Sequence, residues 1–264
     1  MDAVKPIMDE IAGVSKLMSV KGWAERNAGN ISVNITNLAD TKTQDVMKEA
    51  VRYSLPFKVQ KLTGNLLLIT SSGSKARNIS ANPEKNLCLV YICDPSGYQY
   101  ISLISGTEIT PSSELFTHLA IHNAMLIENT GRRVVLHSHV TELIALTQIE
   151  EFNNKTALNN LIWGMHPETI MYIPEGVGYV KYCTPGSSEI AALTAQQIKE
   201  HNVIIWEKHG ACSTAANVYD AFDLLDIIAK SAGIFFKCRS AGYVPTGITP
   251  QQNIVPIRTD SILK

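Results

Sequence analysis

The chain has 264 residues, 45% of them hydrophobic and 18% charged, with a net charge of -1. That composition belongs to a folded globular protein with a sizeable core and excludes an intrinsically disordered chain. Lys and Arg are scattered and never form a run of five, so there is no electrostatic footprint for nucleic acid or an anionic membrane surface. No apolar stretch approaches the ~18 residues needed to span a bilayer, and the opening MDAVKPIMDEIAG carries acids where a secretory leader would carry basic residues. Five cysteines, an odd number with no CxxC spacing, suit a reducing compartment. The expected location is the cytoplasm.

In chain order, Ile7, Met8, Ile11, Val14, Leu17 and Met18 recur at helical intervals, and Gly22 can end that helix. After GWAERNAGN, the residues Ile31, Val33 and Ile35 alternate with polar ones, which predicts a strand. Residues 36–63 lack a clear period and read as an excursion from the main sheet. LLLIT at 66–70 predicts a buried strand, and NLCLVYIC and YQYISLI flank the turn Asp94-Pro95-Ser96-Gly97, so an antiparallel hairpin is expected. A helix is predicted from Pro111 through SSELFTHLAIHNAMLIE, with Glu114 in its first turn. There a glutamate also suits the helix dipole, by a few tenths of a kcal/mol.

Beyond it, RRVVLHSHV predicts a strand and both TELIALTQIEE and NKTALNNLIW helices. TIMYIP with Gly176 and Gly178 reads as strand and turn, SSEIAALTAQQIKEH as a helix, NVIIWEKHG as a strand, and NVYDAFDLLDIIAKSAGIFFKC as a long helix. No repeat or Gly/Ser linker intervenes. The expectation is one α/β domain over residues 1–264, with a mixed, largely antiparallel central sheet flanked by helices.

On a strand, residues i and i+2 share a face, so His137 and His139 present two imidazoles side by side while Ser138 faces the other way. His209 follows another apolar strand, and Gly210 marks a sharp exit. Three such nitrogens can hold a zinc ion with one position open to substrate. An HxH pair also arises by chance in a chain with seven histidines, and a histidine at a strand end can equally be a hydrogen-bonded core residue. A metallo-hydrolase would want an acid where Thr141 stands. A cupin barrel could use Glu142 but needs serial short strands that this pattern lacks.

Taken together, GWAERNAGNISV, TSSGSKARN, TPSSEL, RRVVLHSHVTELIALT, IPEGVG, TPGSSEI and EKHGA resemble the class II aldolase family of short-chain sugar phosphates. Across residues 20–240 the resemblance is closest to its rhamnulose-1-phosphate branch rather than to the shorter fuculose-type members. It implies a zinc ion held by His137, His139 and His209, with Glu114 as the acid/base beside it. The reaction implied is reversible cleavage of L-rhamnulose 1-phosphate to dihydroxyacetone phosphate and L-lactaldehyde, in which the metal carries the charge of the carbanion. Glu168 matches a second family glutamate that handles the proton of the C4 hydroxyl from a neighbouring subunit. The run WGMHP departs from the family there, and a surface glutamate before a strand is the competing reading.

Gly29, Asn30, Ser72, Gly73, Ser112 and Ser113 match the family's phosphate cradle, built from backbone N–H groups and hydroxyls. Ser71 stands where the family usually has Gly, and Ser112 where it has Thr. A small-molecule substrate and a homotetramer are implied, with neither nucleic acid nor membrane as a partner. Two other occupants of the scaffold stay open: an enzyme for another sugar phosphate, such as fuculose 1-phosphate or a pentulose phosphate, and a non-catalytic domain of the adducin kind.

Overall fold

A computed structural model describes residues 2–38, 47, 49–104 and 106–248. The first helix, α1 (Lys5–Val20), buries Ile7, Met8, Ile11, Val14 and Met18, the predicted stripe apart from half-exposed Leu17. Strand β1 (Asn30–Asn34) follows, then β2 (Arg52–Ser54), β3 (Leu66–Thr70) and the short helix α2 (Ala76–Ala81). The hairpin β4 (Leu87–Asp94) and β5 (Gly97–Ser102) turns where expected, and the Asp94 carboxylate accepts from the Ser96 N–H at 2.8 Å. Helix α3 (Leu115–Ile127) precedes β6 (Val134–Ser138), α4 (Thr141–Leu146), α5 (Lys155–Met165) and α6 (Pro167–Tyr172). Strand β7 (Gly178–Val180), α7 (Ser188–Gln197), β8 (Val203–Trp206), β9 (Gly210–Ala215) and α8 (Val218–Ser240) complete the described order.

The strands form one nine-stranded sheet in the order β2-β5-β4-β3-β1-β6-β9-β8-β7. Every pairing is antiparallel except β7 with β8. The α/β fold with a mixed, largely antiparallel sheet is therefore as the sequence predicts. LLLIT is buried throughout, and its four aliphatic residues fit because both of its faces are covered. Leu66 and Leu68 join the core beneath α1, α4, α5 and α8, while Leu67 and Ile69 join a second core with Leu115 and Leu119 of α3. A third cluster, with Val135, Ile204 and Cys212, packs on α3 and α7.

Four expectations need correction or addition. TIMYIP is not a strand: residues 167–172 form α6, with Pro167 at a position where its missing N–H costs nothing. Thr169 there is buried and hydrogen-bonded to Ser231 of α8 at 2.8 Å. The helix expected from Pro111 starts instead at Leu115. Pro111 bridges Ser71, and the Ser112 N–H donates to the Thr70 carbonyl at 3.0 Å, so cross-strand pairing claims Pro111 and Ser112, and a turn at Ser113–Glu114 leads into the helix. GACSTA, too small and polar to read as a core strand, forms β9 with every residue buried. The excursion at 36–63 contains β2 and single helical turns at Thr36–Leu38 and Gln60–Leu62, while residues 39–46 and 48 lie outside the described residues. Likewise the tail is described only to residue 248, whose N–H donates to the Gly164 carbonyl at 2.7 Å. All five cysteines are free thiols.

Candidate metal and catalytic site

Strand register brings the candidate residues together. Asn30 of β1 stands opposite His137 of β6, and His137 stands opposite Cys212 of β9. Trp206 and Gly210 pair across the β8–β9 turn, which carries His209 back toward β6. A Cβ on Gly210 would lie 2.3 Å from the Ser138 carbonyl oxygen, and the residue has φ +140°. Only glycine fits that close approach. The Lys208 N–H, donating to the Thr147 hydroxyl at 2.9 Å, fastens the turn to the end of α4.

The ligand atoms of His137, His139 and His209 all lie within 4.8 Å of one another. As the strand period requires, the rings of His137 and His139 are neighbours, with centroids 5.3 Å apart. His137 donates its Nδ1–H to the Ala211 carbonyl at 3.0 Å, and because a carbonyl only accepts, Nε2 must carry the lone pair. His139 Nδ1 is 2.6 Å from a Glu25 carboxylate oxygen, which orients its Nε2 in the same way. Burial, helped by the nearby histidines, pushes His137 and His209 down to about 3, so both rings are neutral at physiological pH. Metal binding needs that form.

His137 Nε2 and His209 Nδ1 are buried without a hydrogen-bond partner. Unsatisfied buried nitrogens are costly and call for an occupant. Three imidazoles with lone pairs in reach of one point therefore fit a divalent cation such as zinc. Trp206 supplies a flat wall, 4.4 Å from the His137 ring and 5.3 Å from the His209 ring, and is anchored by its indole N–H to the Thr194 hydroxyl. Sequence reading missed Trp206 and Glu25; the acid in GWAERN gave no signal of its own.

Glu114 occupies the position just before the first residue of α3, and it is buried. Its Oε2 lies 3.7 Å from His137 Nε2 and its Oε1 3.6 Å from His209 Nε2. Desolvation pushes its carboxyl above the usual range, opposed by His209, by the amide of Asn30 and by His139. Burial thus favours its protonated form more than water would.

Backbone and hydroxyl hydrogen bonds link the segments expected to take the phosphate. The Ser72 N–H donates to the Thr110 carbonyl at 2.8 Å, and the Ile31 N–H donates to the Thr70 hydroxyl at 3.2 Å. These bonds lay Ser72-Gly73 beside Ser112-Ser113 and near Gly29-Asn30. Ser112 is partly committed, since its hydroxyl accepts from the Glu114 N–H at 3.3 Å. Asn30 is committed more fully: its Nδ2 donates to Glu114 Oε2 at 3.1 Å and its Oδ1 accepts from His118. Glu168 lies apart, in the first turn of α6, pairing with His166 at 3.8 Å in a cavity of about 470 Å³ that also involves Trp23 and Glu142.

The chain belongs to the class II aldolase and adducin family: the family model described as the class II aldolase and adducin N-terminal domain matches residues 9–236. It is a class II aldolase, a lyase by class. A rhamnulose-1-phosphate aldolase of Bacteroides thetaiotaomicron is 33% identical over 245 residues, covering 93% of this chain and 90% of the relative. Another, from Mannheimia succiniciproducens, is 34% identical over 85% of this chain and 83% of its own. A solved sugar-phosphate aldolase from Thermotoga maritima superposes with a TM-score of 0.78 at 28% identity, over 92% of this chain and 99% of that one. The fold is shared with an L-fuculose-1-phosphate aldolase from Thermus thermophilus at a TM-score of 0.57 and 18% identity, over 89% of this chain and 95% of that one.

Two further histidines, His118 and His122, are buried in α3, and burial pushes both down to about 3. An unfolded histidine titrates near 6.5. Between those values the unfolded chain binds protons that the folded chain does not, so stability falls as pH drops from 6.5 toward 3, by about 1.4 kcal/mol per pH unit per histidine. Guanidinium unfolding of metal-stripped protein is expected to show a midpoint that declines over this window, with a shallower slope in His122→Phe; an equal slope in the variant would refute the assignment.

Proposed function

We propose that this protein is a zinc-dependent aldolase that cleaves L-rhamnulose 1-phosphate to dihydroxyacetone phosphate and L-lactaldehyde, reversibly. The observation that carries the reading is the convergence of three imidazoles on one point, with the Glu114 carboxylate 3.6–3.7 Å from two of them. The rhamnulose-1-phosphate aldolases at 33% and 34% identity support the substrate.

His137, His139 and His209 would hold the zinc, which when bound supplies a Lewis acid for the carbonyl and hydroxyl oxygens of the substrate, worth several kcal/mol. Breaking the C3–C4 bond leaves its electron pair on C3, and Glu114 delivers a proton to that carbon. In the condensation direction Glu114 removes the same proton. Asn30 holds Glu114 Oε2 while this happens. The hydroxyl proton of C4 must leave as the carbonyl of the aldehyde forms, and Glu168 receives it, so one proton is given and one taken.

In a single chain Glu168 pairs with His166 rather than with the metal histidines. Its role therefore requires a neighbouring subunit, consistent with a homotetramer that brings α6 of one chain to the site of the next. The phosphate is taken by Gly29, Ser72, Gly73, Ser112 and Ser113 through backbone N–H groups and hydroxyls, with the second amide hydrogen of Asn30. Gly29, at φ +78°, packs against Met18 and the His137 carbonyl, where a side chain would intrude. A cytoplasmic location fits the substrate; among the described residues no helix is long and apolar enough to cross a membrane.

His137→Ala and His209→Ala are expected to lose zinc and turnover together, by metal analysis and coupled assay. Glu114→Gln should keep its zinc and lose turnover by about 100-fold or more. Full turnover in Glu114→Gln removes Glu114 from its role. Assayed side by side, rhamnulose 1-phosphate should exceed fuculose 1-phosphate and ribulose 5-phosphate in kcat/KM, and no preference among them overturns the substrate. Protein that binds no zinc and cleaves none of the three would instead fit the non-catalytic adducin-like reading. Sedimentation is expected to give four chains per particle, and a single chain at working concentration excludes Glu168.

A further inference from the structure

Helix α3, which Glu114 precedes, carries two buried histidines. Glu114, His118 and His122 follow one another at i, i+4 and i+8, a spacing that puts them on one face of a helix. That face looks onto β1, where Asn30 and Ser32 share one side of the strand. Five side chains interlock there, all of them buried. Asn30 Nδ2 lies 3.1 Å from Glu114 Oε2. The Asn30 Oδ1 contacts His118 Nε2, Ser32 Oγ lies 2.7 Å from His118 Nδ1, and the same hydroxyl lies 2.8 Å from His122 Nε2.

Donor and acceptor roles along this chain follow from elementary valence. An ionised carboxylate can only accept, so Asn30 must present its NH₂ to Glu114 and its oxygen to His118. His118 Nε2 then carries the hydrogen. A neutral imidazole has one donor and one acceptor, so His118 Nδ1 accepts the Ser32 O–H. The Ser32 oxygen, its hydrogen used, accepts from His122 Nε2–H. Each group has one consistent role, and all the hydrogens point toward Glu114. Reversing any one member reverses the rest and turns the amide oxygen of Asn30 against the carboxylate.

Resting on the proposed aldolase function, we infer that Ser32, His118 and His122 are positioning residues for the acid/base of the reaction. They lock the amide of Asn30 as a donor and so hold the Glu114 carboxylate at the spot from which it reaches the substrate carbon. None of the three touches substrate. Their effect is on the orientation of Glu114 and not on metal affinity, because His137, His139 and His209 lie outside the chain; Asn30, which also offers its second amide hydrogen to the phosphate, is the one member shared with that site. Polar partners behind catalytic groups commonly matter by 10–100-fold in activity.

The test has two arms. Neutron diffraction from deuterium-exchanged crystals of the whole protein is expected to show deuterium on Asn30 Nδ2, His118 Nε2, Ser32 Oγ toward His118, and His122 Nε2. Deuterium on His118 Nδ1, or the amide oxygen of Asn30 facing Glu114, overturns the inference. In the second arm, Ser32→Ala is expected to lower kcat about ten-fold in cleavage and to slow deuterium exchange into dihydroxyacetone phosphate equally, with zinc content held. His122→Phe serves as the second deletion should Ser32→Ala fold poorly, and Ser32→Thr, which retains the hydroxyl, should recover most of the rate. Unchanged kcat in a folded, zinc-loaded Ser32→Ala or His122→Phe protein overturns it, as does a rise in KM with kcat unaffected. Absence of aldolase turnover in the unaltered protein would defeat the proposed function, and the neutron result would still decide whether the chain orients Glu114.

Discussion

A carboxyl group buried beside two imidazoles is the constraint around which this protein is arranged. Glu114 has given up most of its hydration, and its charge must be met by groups with fixed direction. Asn30 of β1 supplies the directed N–H, while His137 of β6 and His209 of the β8–β9 turn bring their rings to 3.7 and 3.6 Å from the carboxylate oxygens. Each approaches from a different part of the chain. Their arrival depends on β1, β6, β9 and β8 lying in that order at the middle of the sheet.

The same arrangement explains why so much polarity is tolerated in the core. His118, His122, His137, Ser32 and Asn30 are all buried, and each would be destabilising alone. Directed pairing changes that for the α3–β1 group, whose members satisfy one another. His137 and His209 retain unpartnered nitrogens, a cost that a cation relieves. A histidine cluster suited to a cation and a satisfied hydrogen-bond chain behind Glu114 are therefore two answers to one electrostatic problem, one calling for an ion and the other using hydrogen bonds.

Rigidity follows from packing around these groups. Trp206 backs two of the metal histidines, and its indole is tied to α7 through Thr194. The carbonyl of Trp23 accepts from both the His139 N–H and the Ser138 hydroxyl at 3.0 Å, tying the loop that carries Glu25 to the end of β6. Such outer contacts set ring orientation, and orientation decides which lone pair faces the metal.

Much of this was legible from residue order alone. The two-residue period of VVLHSH placed His137 and His139 on one side of a strand, the apolar run before His209 placed that ring at a strand end, and the DPSG turn announced the hairpin, because each depends only on local backbone geometry. Family motifs pointed to the phosphate segments. What local order could not supply was anything set by pairing between distant segments: Pro111 and Ser112 held against the end of β3, the helical α6 docked on α8, the small-residue strand β9 buried on both sides. Nor could it supply Glu25, Trp206 or the relay from His122 to Glu114. Glu114, His118 and His122 share a helical spacing that is visible in the sequence, yet the spacing acquires meaning only when Asn30 and Ser32, some 85 residues earlier, are laid against it. Side-chain period is a property of the chain; the partner that each side chain meets is a property of the sheet.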